Sequence, residues 1–226
     1  MPIPSNENNK LTNISVKDIV YDKISEWIIT GVLKPGEKIS VEELAEHFNV
    51  SRTPVREAFQ LMETQKLIKT MPRKATVVTD LDLEDINSCY QPIIVLEELA
   101  AIEACKRVKK SDIKKLINLN DNIKEYSDTG EIINEMIEDR KFHDSIVELS
   151  ENRYIVQCLD NLQMQTSRFE YIEFMERGNI SESIKQHTRI IAALKSKDEL
   201  AAGSIMKEHW LAAQARLEKR IEEKSK

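Results

Sequence analysis

Glycine and proline are scarce in this chain, at 5 and 6 of 226 residues. A β-sandwich or a low-complexity chain uses many more turn formers, so the composition argues against both. Cysteine is scarce as well: Cys89, Cys105 and Cys158 are widely spaced and form no CxxC pair. Such a set excludes a disulfide framework and suits buried thiols in a reducing cytosol. No apolar run reaches the length of a membrane span, because stretches such as "PIIVLEELAAI" are broken by carboxylates. The opening "MPIPSNENNKLTN" lacks the apolar core of a signal peptide, and residues 1–14 are expected to form a disordered tail. HExxH and a glycine-rich nucleotide loop are missing too, which counts against a metalloprotease or a nucleotide-binding enzyme.

What the chain does have is 41% hydrophobic and 32% charged residues, the balance of a largely helical globular protein. Its net charge of −6 is unevenly spread. Residues 1–79 hold 11 Lys/Arg against 10 Asp/Glu, whereas residues 80–226 hold 22 against 29. Within 51–74, six basic residues face two acidic ones. That patch fits a nucleic-acid contact confined to a small head, and equally a solvated basic face.

Periodicity organises the head, expected over 15–79. Ile19, Val20, Ile24, Trp27 and Ile28 form a helical stripe between Lys17 and Thr30, which Gly31 is placed to end. In "SVEELAEHF", Ser40 and Glu43 stand in capping-box spacing, and Leu44, Ala45 and Phe48 make the buried side of a second helix. After the turn Asn49-Val50-Ser51 comes a third helix, with Ser51 as cap and Pro54 tolerated in the first turn. "LIKT" and "TVVT" around "MPRKA" predict a β-hairpin. Three helices and a hairpin describe a winged helix-turn-helix. From Asp80 to Lys226 the pattern predicts an all-α bundle of six helices, near 82–108, 111–127, 130–150, 152–176, 180–196 and 198–222. The expected fold class is thus mostly α.

The third helix poses a local problem. Arg52 and Arg56 lie four apart on one face, where like charges repel, and Arg52 sits at the positive end of the helix dipole. Val55, Phe59 and Met62 point inward, which sends both arginines outward. A recognition helix in the major groove would use them, since a guanidinium can bond guanine O6 and N7 together. Ser51 and Thr53 supply hydroxyls for phosphates, and Arg73 and Lys74 occupy the wing turn, where a backbone or minor groove would lie. A surface pair without function is the alternative for an isolated arginine couple; the tri-helical setting favours DNA.

The body contains a second pattern. Asp139 and His143 are four apart on one predicted helix, and His187 and His209 lie on two later ones. Converging, they could hold Zn²⁺, Ni²⁺ or Mn²⁺ with positions left for water or an effector; otherwise they are core or surface histidines. His47, in the head, reads as a partly exposed helix residue.

"GVLKPGEKISVEELAEHFNVSRTPVREAFQLMETQKLI" resembles the winged-helix head of GntR-type bacterial transcription regulators, from about Lys17 to Val78. The resemblance implies DNA contacts at Arg52, Thr53 and Arg56, with Ser51 at the helix start. Lys66 and Lys74 stand where the family usually has glycine. The body is similar to the all-helical FCD effector domain, through "LEELAAIEA", "SENRYI" and the order and spacing of Asp139, His143, His187 and His209. The resemblance implies that these four bind a divalent metal, and six helices point to the VanR-like subgroup. Ile93 takes the place of an arginine that often reaches the family's pocket. The protein implied by the resemblance is a bacterial cytoplasmic homodimer on a pseudo-palindromic operator, its DNA affinity modulated by a small effector beside the metal. Two other functions are open: a DNA-binding protein whose body only dimerises, and a metal-dependent hydrolase.

Overall fold

The computed structural model describes residues 15–71, 75–80, 83–176 and 180–224. The chain divides into two compact units, with the boundary between Thr79 and Asp80.

In the first unit, helix α1 (Val16–Ile29) starts one residue before the periodicity indicates, because Ser15 and Asp18 close a reciprocal capping box. Gly31 follows the helix end with φ of +74°, a left-handed turn that glycine enters without strain. Strand β1 (Lys38–Ile39) leads into α2 (Val41–His47), and α3 (Arg52–Thr64) follows after a short turn. Strands β2 (Ile68–Met71) and β3 (Ala75–Val78) complete the unit. The expected hairpin is present in register, Ile68 opposite Val78 and Met71 opposite Ala75. β1 is an addition to the expected architecture. It pairs antiparallel with β3 (Lys38 opposite Val77) and gives a sheet ordered β1-β3-β2. Val20, Ile24 and Ile28 of α1 are buried, as are Val55, Ala58, Phe59 and Met62 of α3, and the two helices are in contact. This fixes which side of α3 is left to water.

Ser51 holds the N-cap position of α3, but its side chain makes no cap hydrogen bond, contrary to the reading of it as a side-chain cap. The other end of α3 closes in a Schellman motif: Lys66 N donates to Glu63 O at 3.1 Å and Leu67 N to Met62 O at 2.9 Å. Lys66 is therefore held at φ of +57°.

The second unit contains six helices among the described residues: α4 (Leu83–Arg107), α5 (Lys110–Thr129), α6 (Ile132–Leu149), α7 (Arg153–Glu176), α8 (Ser181–Ser196) and α9 (Glu199–Lys224). Their limits fall within a few residues of the expected ones, and α4 runs unbroken through Pro92. The core draws Ile86, Tyr90 and Ile93 from α4, Leu116 and Ile123 from α5, Phe142 and Ile146 from α6, and Ile190 and Leu194 from α8. α9 lies close along α4. A Cβ at Gly203 would meet Ile102 Cγ1 at 2.7 Å, so only glycine fits without moving that side chain.

Lys66 generates a test of the head. A non-glycine residue in the left-handed region costs about 1–2 kcal/mol. Lys66→Gly is expected to recover about 1 kcal/mol, because the Lys66 carbonyl that accepts from Thr79 Oγ1 at 2.6 Å belongs to the backbone and is retained. The measurement is the urea midpoint of the full chain's head transition. An unchanged or lower midpoint would show that the positive φ carries no removable strain.

Candidate metal centre and nucleic-acid interface

On α3, burial of Val55, Ala58, Phe59 and Met62 leaves Ser51, Arg52, Thr53 and Arg56 exposed on the outer face. The four residues expected at a DNA contact are thus gathered at the start of one helix. Arg73 and Lys74, the expected wing contacts, lie outside the described residues. Sequence reasoning missed one neighbour. Glu42, in the first turn of α2, places Oε1 3.3 Å from Arg52 Nη1. This carboxylate offsets both the repulsion from Arg56 and the dipole at the α3 N-terminus. With side chains 61% and 54% exposed, the pair is a surface one and contributes about 0–1 kcal/mol. Arg52 can exchange it for a stronger anion.

In the body, α6, α8 and α9 bring His143, His187 and His209 together, all three buried. One ring nitrogen from each lies within 4.8 Å of the others. Ring centroids are 5.4 Å apart for His143 and His187, 5.0 Å for His143 and His209, and 4.8 Å for His187 and His209. Asp139 stands beside this group. Its Oδ1 is 3.8 Å from His187 Nε2, but it is not within the mutual 4.8 Å of the three histidines. Phe142 stacks on His187 at 4.2 Å and Trp210 lies 4.9 Å from His143, so apolar rings wall the cluster.

Each imidazole turns Nδ1 to an oxygen on another helix. His143 Nδ1 meets Glu97 Oε2 of α4 at 3.4 Å. His187 Nδ1 meets Asn120 Oδ1 of α5 at 3.1 Å, and His209 Nδ1 meets Gln186 Oε1 of α8 at 2.9 Å. The Asn120 amide is itself oriented, since Nδ2 lies 3.4 Å from Thr188 Oγ1 and 3.5 Å from Ile184 O. An oxygen acceptor at Nδ1 favours a proton there, the tautomer that turns Nε2 of a neutral ring into a lone-pair donor. His143 Nε2 is buried without a hydrogen-bond partner among the described residues. A buried nitrogen lone pair without a donor costs free energy, and a cation removes that cost. Three neutral imidazoles with a carboxylate alongside match the donor set of Zn²⁺, Ni²⁺ or Mn²⁺. Burial alone would push the His143 ring below the ordinary value of 6.5. The charge and hydrogen bond of Glu97, with Asp139 and Asp144 behind, outweigh burial and hold it above that value.

A narrow cavity of about 30 Å³ adjoins His143 and His209, room for about two waters. Its walls include Tyr90, Gln163, Arg140, Glu170, Glu173 and Arg216. Arg140 binds Glu170 at 2.6 Å, and Arg216 binds Glu173 at 2.8 Å. Burial, then the negative charges of Glu170 and Glu173, push the Tyr90 hydroxyl well above its ordinary value, so it stays a donor. Ile93 is fully buried in the core. The cations at this cavity come instead from α6 and α9. Glu97, Asn120, Gln186, Arg140 and Arg216 escaped sequence reasoning. For Glu97 a signal existed: it falls on the stripe of Ile93, Ile94, Ala100, Ala101 and Ala104, which is otherwise apolar.

Residues 17–78 match the family described as "Bacterial regulatory proteins, gntR family", and residues 89–212, more than half of the chain, match the FCD domain. The "Uncharacterized HTH-type transcriptional regulator YdhC" of Bacillus subtilis is 30% identical over 199 residues, which is 85% of this chain and 84% of that protein. The gluconate operon transcriptional repressor of the same organism is 28% identical over 183 residues, 76% of this chain and 72% of that one. The structure of E. coli McbR/YncC has the same fold, with a TM-score of 0.80 at 21% identity, covering 92% of this chain and 100% of that one. The chain therefore belongs to the GntR family of bacterial transcriptional regulators, in the branch whose body is an FCD domain, and it is a regulator rather than an enzyme.

Proposed function

We propose that this regulator binds a pseudo-palindromic operator as a cytoplasmic homodimer, with operator affinity set by a small effector beside a metal ion in the helical body. The observation that carries the reading is the convergence of three buried histidines, each with Nδ1 facing an oxygen on another helix. His143, His187 and His209 would hold the ion, and Asp139 would complete the set from its place beside His187. A bound divalent ion supplies a Lewis-acidic centre for an oxygen or nitrogen of the effector. The residues of the cavity do the rest. Arg140 and Arg216 offer positive charge, Gln163 and the Tyr90 hydroxyl offer hydrogen bonds, and Trp210 excludes water. An effector larger than two waters would fill the cavity and press on the helices that line it. Its occupancy is thereby linked to helix position, the element through which a ligand can alter DNA affinity. Six helices in the body support placement in the VanR-like subgroup.

In the head, Arg52 and Arg56 would read base edges, with Ser51 and Thr53 on phosphates and Arg73 and Lys74 in the wing. Two copies on a two-fold axis match two half-sites.

Three outcomes are expected. Arg52→Ala and Arg56→Ala should each weaken operator binding by about 1–3 kcal/mol in a fluorescence-anisotropy titration, with much smaller loss on random DNA. Equal losses on both DNAs would assign the arginines to phosphate alone. Glu42→Gln, which frees Arg52 and removes a negative charge, should tighten binding to random DNA and narrow the ratio between operator and random sequence. An unchanged ratio would show that the ion pair has no part in discrimination.

The third concerns pH. The folded-state value of His143 is raised, so in chelator-stripped protein its pairing with Glu97 contributes stability below 6.5 that is lost as pH rises through the raised value. Metal binding has the opposite sign, because each ligand imidazole must shed its proton. The rise in melting temperature on adding Zn²⁺ should therefore be larger at about pH 8 than at about pH 6. A shift that is flat or reversed over that interval would exclude a three-histidine site.

A further inference from the structure

The three histidines are not backed alike. Asn120 and Gln186, behind His187 and His209, are neutral amides at 3.1 Å and 2.9 Å. Behind His143 stands a carboxylate, Glu97, at 3.4 Å. Glu97 is 0% exposed, and its other oxygen, Oε1, has no hydrogen-bond partner among the described residues. Its contact with His143 is also long for a hydrogen bond. Charge on a carboxylate in such a place is costly for a core to hold, and a cation beside it offsets that cost. The nearby guanidinium of Arg140 is already engaged by Glu170 at 2.6 Å. The geometry leaves the histidine centre as the place for that cation.

We propose that Glu97 is a positioning residue for the metal centre: it accepts the Nδ1–H of His143, aims Nε2 at the ion, and supplies the second negative charge that a divalent cation needs in a buried site. The inference rests on the metal-binding reading above. Asp139 near His187 and Glu97 behind His143 together carry two negative charges, which balance a dication among three neutral imidazoles. Polarisation by the carboxylate also makes His143 a stronger donor than the two amide-backed rings. Glu97 touches the ion only through His143 and is not one of the ligands.

The test uses the full chain stripped of metal by chelator, with Glu97→Gln and Glu97→Ala beside the wild type. Glutamine keeps an acceptor for Nδ1–H and removes the charge; alanine removes both. Zn²⁺ affinity is read by competition with a chromophoric chelator, and Co²⁺ absorption bands report the ligand field. Long-range ¹H–¹⁵N spectra of the metal-free protein report which nitrogen of His143 carries the proton. The expected result is an affinity loss within the range of about 10–100-fold for Glu97→Ala, with a smaller loss for Glu97→Gln. Altered Co²⁺ bands and a mixed His143 tautomer should accompany it in Glu97→Ala alone. Folded variants, by circular dichroism, that bind Zn²⁺ as tightly as wild type would overturn the inference and leave the metal site standing. An unaltered His143 tautomer in Glu97→Ala would do the same. Wild type that binds neither Zn²⁺ nor Co²⁺ at micromolar levels would remove the metal reading, and this inference with it. Variants that fail to fold are replaced by Glu97→Asp, whose carboxylate should restore affinity toward wild type and whose failure to do so in a folded protein counts against the proposal.

Discussion

An imidazole removed from water needs partners for its nitrogens, and the body's interior meets that need at Nδ1 three times over. Each ring that α6, α8 and α9 carry inward meets an oxygen acceptor on Nδ1, from α4, α5 or α8. Five of the six helices, all but α7, are therefore tied to the same point by polar contacts as well as by apolar packing. Shifting α4 would strand His143, and shifting α5 would strand His187. Apolar rings from Phe142 and Trp210 wall part of the cluster. In such surroundings electrostatic contacts are little screened, so the placing of one carboxylate has consequences that it would not have at the surface.

The cavity beside the histidines extends the same logic. Its two arginines are each matched to a glutamate of α7. Arg140–Glu170 and Arg216–Glu173 cross between helices, and an anionic ligand would compete for those guanidinium groups.

The head works by an opposite principle, exposure rather than burial. The apolar stripe of α3 is buried against α1, α2 and β2, and this turns Arg52 and Arg56 to solvent. Glu42 offsets the local cost of Arg52 in the free protein without covering it. A weak, screened ion pair leaves a side chain able to change partners.

The periodicity of apolar residues, the Ser-to-acid caps and the few glycines determine the helices within a few residues, and they determine which side of α3 faces water. These are properties of short segments, and a short segment carries them by itself. β1 was invisible because it has two residues, and only pairing with Val77 and Thr76 makes them a strand. Ser51 likewise occupies the N-cap position without the side-chain hydrogen bond its residue type allows. Spacing could nominate Asp139, His143, His187 and His209 but not bring them together. The tertiary structure decided that three histidines converge with Asp139 alongside. It also set Glu97, Asn120 and Gln186 behind them across 46, 67 and 23 residues of chain. Local pattern specifies the face a residue occupies; what stands opposite that face depends on how the helices pack.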